Sequence, residues 1–440
     1  MGWSGHVHPL LAVAQALLAR GHGVAMLTAT AYRPAVEQSG VTFLPPAVAP
    51  DRDYNHLDAT FPEIRRLPNP EALARLFGAI AVQHAPAQGH DVVTASAAWR
   101  PDVLINDGIA LGAPLAAGLL RLPWATVSPF IFCTIPAPEL PPPFLGIPWQ
   151  PGPRGRLTAS ALNRAADLRL AVATRRWQAL AAAWKVSPPF QTAYQAGVSP
   201  LLYLYPGGPA LEYPRRAWPA QAHGVGPLRL MGADAGQSAP TTRPRVFLTE
   251  GTTHTDRRLA RLAIQALRAA PFELVIALGD LKSGERLGPL PANVTLAGYV
   301  DYRVALKGAA LLVTNGGAGS LTAALEAGVP ALMLPAGLDK GEASQRLAWA
   351  GAGLRLSAAA RCSPARFRAA AMAVIQQPAY RQRAQTVGQE LLALGGAARA
   401  AELLASIAKP SPSRTAVPLG AGRHSTRATV VASDQSSSRL

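Results

Sequence analysis

The stretch that most constrains the fold lies in the C-terminal third. It opens on the apolar run Leu311-Leu312-Val313-Thr314 and continues through Asn315-Gly316-Gly317-Ala318-Gly319-Ser320. An Ala/Leu-rich segment, Leu321 to Ala327, follows and stops at Gly328-Val329-Pro330, and a second apolar run spans Ala331 to Leu334. A short run without polar alternation reads as a strand buried on both faces, the mark of a parallel sheet. Glycine and proline after an apolar-periodic segment end a helix. The whole is therefore one βαβ unit, and the fold class is α/β. Gly316, Gly317 and Gly319 let the main chain approach a ligand closely, and the free amides of a helix start favour an anion such as a diphosphate. On spacing alone, a plain turn without a ligand fits equally well.

The same alternation runs through the rest of the chain. A helical pattern from Leu10 to Arg20 ends at Gly21-His22-Gly23, and Val24 to Leu27 and Val41 to Leu44 read as strands. Pro101 to Asp107 is a strand with a polar tip, the end of an open α/β sheet where ligands collect. Pro129 to Pro153, dense in proline and aromatics, cannot form a regular helix. Composition shifts to Gly, Pro, Ala, Ser and Thr before a second series of strands and helices begins at Val246. The expected organisation is an N-terminal Rossmann-like domain (1–225), a linker (226–243) and a second Rossmann-like domain (244–409). The Tyr380 to Ala408 stretch is expected as a helix packing back across the domains. The Ser/Thr/Pro/Arg-rich tail, 410–440, has no apolar periodicity and reads as disordered.

Of 440 residues, 49% are hydrophobic and 15% charged, which fits well-cored domains; no apolar run reaches bilayer-spanning length. Two distant cysteines, Cys133 and Cys362, make no disulfide framework, so a reducing cytoplasm is the expected location. The net charge of +17 comes from arginines scattered singly or in pairs, with no dense basic block and no interleaved aromatics. That pattern argues against a nucleic-acid partner, leaves peripheral contact with a membrane surface open, and suits an anionic substrate.

Asn315-Gly316-Gly317-Ala318-Gly319-Ser320, Gly328-Val329-Pro330, Pro335, Asp339-Lys340 and Trp349-Ala350-Gly351-Ala352-Gly353 stand in one order and register. This order resembles the donor-sugar signature of the family 1 (UGT-like, macrolide-type) glycosyltransferases, in a divergent Asn-Gly-Gly bacterial subgroup. The resemblance covers most of the chain. It implies the GT-B fold, two Rossmann-like domains facing each other across a cleft, and an inverting transfer from a UDP- or dTDP-sugar to a hydroxyl of a small lipophilic acceptor. No metal and no cofactor are expected.

The resemblance also assigns roles. His6, in Gly5-His6-Val7-His8-Pro9, matches the family's catalytic base, and Asp107 the aspartate that orients it. His8 and His22 are left as structural or solvent-facing. On the donor side, Gly251 and Thr252 match the phosphate-facing turn, Tyr299 and Val300 the nucleobase contacts, and Asn315, Gly316, Gly317, Gly319 and Ser320 the diphosphate loop. Asp339 matches the carboxylate holding sugar hydroxyls. Four departures stand out. Asn315 replaces a histidine. Lys340 replaces a glutamine and brings a cation beside the sugar. Ala323 replaces the ribose-binding glutamate, with Glu326 one turn on as the candidate substitute. The family's first strand is absent ahead of the Gly-His turn. These departures keep open a non-catalytic nucleotide-sugar-binding auxiliary protein of the same fold, and a sugar-nucleotide epimerase.

Overall fold

Runs of Val, Leu, Ile and Phe buried on both faces build two parallel sheets. The computed structural model describes residues 2–55, 67–190, 192–230, 243–251, 257–278, 287–298, 300–356, 362–408 and 427–431. The strands are β1 (Gly23–Leu27), β2 (Thr42–Leu44), β3 (Leu104–Asn106), β4 (Trp124–Val127), β5 (Tyr203–Tyr205) and β6 (Ala222–Gly224), then β7 (Arg245–Thr249), β8 (Glu273–Ala277), β9 (Val294–Ala297), β10 (Leu311–Thr314), β11 (Ala331–Met333), β12 (Gly353–Arg355) and β13 (Arg427–Val431). The first sheet has the order β2-β1-β13-β3-β4-β5-β6 and the second β12-β11-β10-β7-β8-β9. Neighbouring strands are parallel throughout both sheets.

The second sheet has the doubly wound order, with its first strand, β7, in the middle and the chain winding outward to either side. The first sheet follows the same scheme once β13 is placed between β1 and β3. This strand corrects the reading of the tail as structureless: Arg427–Val431 pairs in parallel with both neighbours. Its Thr429-Val430-Val431 run is β-branched, which suits a strand but is too short to produce a periodicity.

Two helices differ from the sequence reading in ways that bear on the site. The first helix is Ser4–Ala19, so His6 sits in its opening turn and not in a preceding loop. The expected helix over 380–408 is two helices, Pro378–Leu392 and Gly396–Ile407, broken at Gly395 and Gly396, both at positive φ. The latter helix does return to the first domain: Ala400, Ala401 and Leu404 share a core with Val7, Leu10, Leu11 and Leu17. Another apolar cluster joins the domains directly, running from Trp3, Phe77, Phe132 and Phe144 to Leu321, Ala343 and Leu347.

Candidate active site

In a doubly wound sheet the ligand crevice lies beyond the strand tips where the winding reverses, here between β7 and β10. The turns leaving those two strands contain Gly251 and Asn315-Gly316-Gly317. Gly251 has φ 66° and donates its amide to the Thr249 hydroxyl at 3.1 Å. Gly316 has φ 89° and donates to the Thr314 hydroxyl at 3.2 Å; a Cβ there would lie 2.3 Å from Ser344 Oγ. The helix Ala318–Glu326 starts at once, with Gly317 as its N-cap. Among the described residues its first amides have no side-chain cap, and a Cβ at Gly319 would meet no atom within 4 Å beyond its own stretch of helix. The helix start is thus open to an anion on one side.

Two polar side chains expected to face the ligand hold the turns instead. Asn315 is buried, and its Nδ2 donates across the crevice to the Glu250 carbonyl, while its Oδ1 has no hydrogen-bond partner among the described residues. Ser320 Oγ lies 2.9 Å from Thr314 Oγ1 and donates to the Gly317 carbonyl at 2.9 Å. The hydroxyls therefore relay from the Gly316 amide through Thr314 and Ser320 to Gly317, closing the loop on itself.

The helix Lys340–Trp349 begins beside this turn, with Asp339 as its N-cap. Asp339 is half-buried and its side chain caps no amide. Lys340 is buried, with Nζ 4.0 Å from Asp339 Oδ1, and so is no solvated helix-end charge. Val300 is half-buried and packs against the apolar cluster that joins the domains. Thr252 and Tyr299 lie outside the described residues. Glu326, the candidate for the missing ribose contact, is held by Arg229 Nε at 2.7 Å.

On the other domain, His6 Nδ1 and Asp107 Oδ2 are 2.9 Å apart, and Asp107 is fully buried. A carboxylate can only accept here, so Nδ1 carries the hydrogen, and in the neutral imidazole the lone pair is on Nε2. Asp107 follows β3, and its Oδ1 accepts the Ile109 and Ala110 amides at 2.9 and 2.8 Å, which fixes the carboxylate before the helix Gly112–Leu120 begins. Burial alone would raise its pKa. The hydrogen bond from His6 acts in the opposite direction and favours the carboxylate. Trp3 and the edge-on ring of Phe130 flank the imidazole, with ring centroids 5.1 and 5.9 Å away. Phe130 in turn packs on Phe132 and Phe144, and Phe144 on Phe77 and Tyr194. The Pro/aromatic stretch is therefore an aromatic wall beside His6.

The chain does contain one Asp-x-Asp spacing, Asp51-Arg52-Asp53. Asp51 Oδ1 accepts the Thr30 amide at 2.6 Å, and Asp53 Oδ1 the Asn55 amide at 2.9 Å. Among the described residues no group of three or more His, Cys, Asp or Glu is placed to hold a metal ion. Both cysteines are buried and free, and no helix among the described residues is long and apolar enough to cross a membrane.

Residues 1–96 match the Glycosyltransferase family 28 N-terminal domain, and residues 261–406 match the Erythromycin biosynthesis protein CIII-like, C-terminal domain. The 4'-demethylrebeccamycin synthase of Lentzea aerocolonigenes is 29% identical over 415 residues, covering 91% of this chain and 96% of that protein. Among solved structures, the kitacinnamycin glycosyltransferase aligns with a TM-score of 0.71 at 23% identity, over 92% of this chain and 96% of its own. The spinosyn rhamnosyltransferase complexed with thymidine diphosphate aligns at 0.66 and 21%, over 93% and 98%. Two parallel-sheet domains, the open helix start at the β7–β10 reversal and these similarities agree: the chain is a family 1 glycosyltransferase of GT-B fold.

Proposed function

We propose that the chain moves a sugar, with inversion, from a dTDP- or UDP-sugar to a hydroxyl of a small lipophilic acceptor. The observation that carries the proposal is the 2.9 Å contact of His6 Nδ1 with Asp107. It leaves Nε2 to take the acceptor's proton as the oxygen attacks the anomeric carbon. The bond from that carbon to the diphosphate breaks on the opposite face, so one displacement inverts the centre. Main-chain amides of the helix start, Gly317 to Gly319, with the Gly251 turn, take up the charge developing on the leaving diphosphate. Asp339 holds sugar hydroxyls, and Lys340 adds a cation close by. Val300, with Thr252 and Tyr299, completes the nucleotide side. The aromatic wall of Phe130, Phe144, Phe77 and Tyr194 supports a lipophilic acceptor. A dTDP donor is supported by the spinosyn enzyme, which is described with thymidine diphosphate.

The test is incubation with radiolabelled dTDP- and UDP-sugars and a panel of phenolic, macrolide and lipid acceptors. A glycoside of inverted anomeric configuration is expected, and His6→Ala abolishes it while nucleotide binding stays. Nucleotide binding without turnover across the panel would point to the auxiliary protein instead. Conversion of the sugar nucleotide with no acceptor present would point to the epimerase.

A further inference from the structure

Two main-chain segments from opposite domains run side by side, joined by the side chains of Asn69 and Glu342. Asn69, at the start of the helix Asn69–Arg75, accepts the Leu338 amide on Oδ1 at 2.6 Å. Its Nδ2 donates to the carbonyls of Phe144 at 3.1 Å and Leu338 at 3.4 Å. Leu338 sits at φ 52°, a left-handed conformation that a leucine adopts only when its surroundings hold it. Four residues on, Glu342 Oε2 accepts the Gly146 amide at 3.0 Å. Gly146 has φ 63°, and a Cβ there would lie 2.6 Å from the Gly341 main chain, so the two backbones touch. Glu342 is fixed from behind: its Oε1 takes Arg346 Nε at 2.8 Å, and Arg346 Nη1 reaches Glu212 Oε2 at 2.6 Å and the Leu211 carbonyl at 3.3 Å. All three charged side chains are at most 4% exposed.

Asp339 and Lys340 lie between Leu338 and Glu342, while Phe144 stands edge-on to Phe130, the ring beside His6. We propose that Asn69 and Glu342 are positioning residues that form one bracket, setting segment 144–146 against segment 338–342 and thereby fixing the spacing between the aromatic acceptor wall and the sugar-holding helix start. The bracket rests on the reading of Asp339 and the aromatic wall given above. Neither Asn69 nor Glu342 needs to touch a substrate; each acts through the main chain it holds.

Hydrogen exchange on the full chain, followed at the Leu338 and Gly146 amides, tests the bracket without any substrate. Asn69→Ala removes the acceptor for Leu338 only, and Glu342→Ala the acceptor for Gly146 only. In a single bracket each variant also speeds exchange at the other amide, by about tenfold, because coupling between two sites is reciprocal. Glu342→Gln offers its one oxygen to Gly146 and turns an N–H toward Arg346, so protection returns at both amides while overall stability falls. In the transfer assay, Asn69→Ala raises acceptor KM about fivefold or more, with kcat and the Kd for free dTDP little changed, and Glu342→Gln stays close to the parent. If each alanine variant frees only its own amide, or acceptor KM and dTDP affinity move together, the bracket is overturned. Should Glu342→Ala fail to fold, because Arg346 then keeps only Glu212, the Asn69→Ala effect on the Gly146 amide decides alone. A parent chain that transfers no sugar overturns the proposed function, and the exchange result still decides the bracket.

Discussion

The side-chain amide of Asn315 donates to the main-chain carbonyl of Glu250, joining the turn after β10 to the turn after β7 across the point where the sheet reverses. An asparagine in this place ties together the two turns of the proposed phosphate site. Asn315→Asp puts a carboxylate against that carbonyl and a negative charge beside the diphosphate. The Kd for free dTDP is expected to rise about tenfold or more, since a hydrogen bond involving a charged group is worth about 1.5–3 kcal/mol. Calorimetry measures it, and unchanged affinity would show that the tie does not shape the anion site.

Lys340 is buried beside Asp339, so its charge is poorly screened. Lys340→Gln removes the cation and is expected to weaken sugar-nucleotide binding roughly tenfold. Restoring a family residue here lowers affinity, because Asn315 brings no charge to offset the loss. In an Asn315→His background the loss is smaller, which a double-mutant cycle by calorimetry reads directly. Tighter binding of Lys340→Gln in the parent would refute this role.

Two glycines at one helix start separate fold from ligand. Gly319→Ala places a methyl where no described atom beyond its own stretch of helix lies within 4 Å, and alanine is favoured in a helix, so stability is expected to hold or rise slightly. A fall in dTDP affinity from that methyl would locate the nucleotide. Gly316→Ala, at φ 89° and against Ser344 Oγ, is expected to cost about 1–3 kcal/mol of stability. Equal melting temperatures for the two variants would contradict this account.

Asp107→Asn keeps an oxygen for the Ile109 and Ala110 amides but turns an N–H toward His6. The imidazole must then accept on Nδ1 and carry its hydrogen on Nε2, where the base is needed. Transfer is expected to fall by about 10³–10⁴ with nucleotide binding intact. A loss of less than tenfold would mean that His6 is not the base.

Buried His84 sets a dependence on pH that is independent of the site. Burial, with a smaller push from the charge of Arg52, lowers its pKa from 6.5 to about 4. The unfolded chain therefore takes up a proton that the folded chain refuses. The stability this contributes is fully present above pH 6.5 and drains away as the pH falls toward 4, by roughly 1–3 kcal/mol. Denaturant unfolding of the parent and His84→Gln at pH 7 and pH 4.5 measures it. The variant is expected to lose less stability between the two, and parallel losses would exclude His84 as the source.

The sequence alone determined the α/β class and the chemistry offered at the strand tips. Buried parallel strands must be continuously apolar, and a glycine turn before a helix can be read directly from spacing, so the βαβ unit around Asn315 was legible. His6 and Asp107 were legible only through their family resemblance, because 101 residues separate them and no local pattern joins them. Only the tertiary structure decided where polar side chains point. Asn315 and Ser320 turn inward because two bent turns need their own amides and carbonyls satisfied once buried. The strand Arg427–Val431 finds its place between β1 and β3 through pairing with distant chain, which five residues of composition cannot announce. Glu342 and Arg346 do show a helical i,i+4 spacing in the sequence, yet that spacing suits a solvated surface pair equally well. Their burial between two domains, against Gly146 and Glu212, exists only once both sheets have formed and closed on each other.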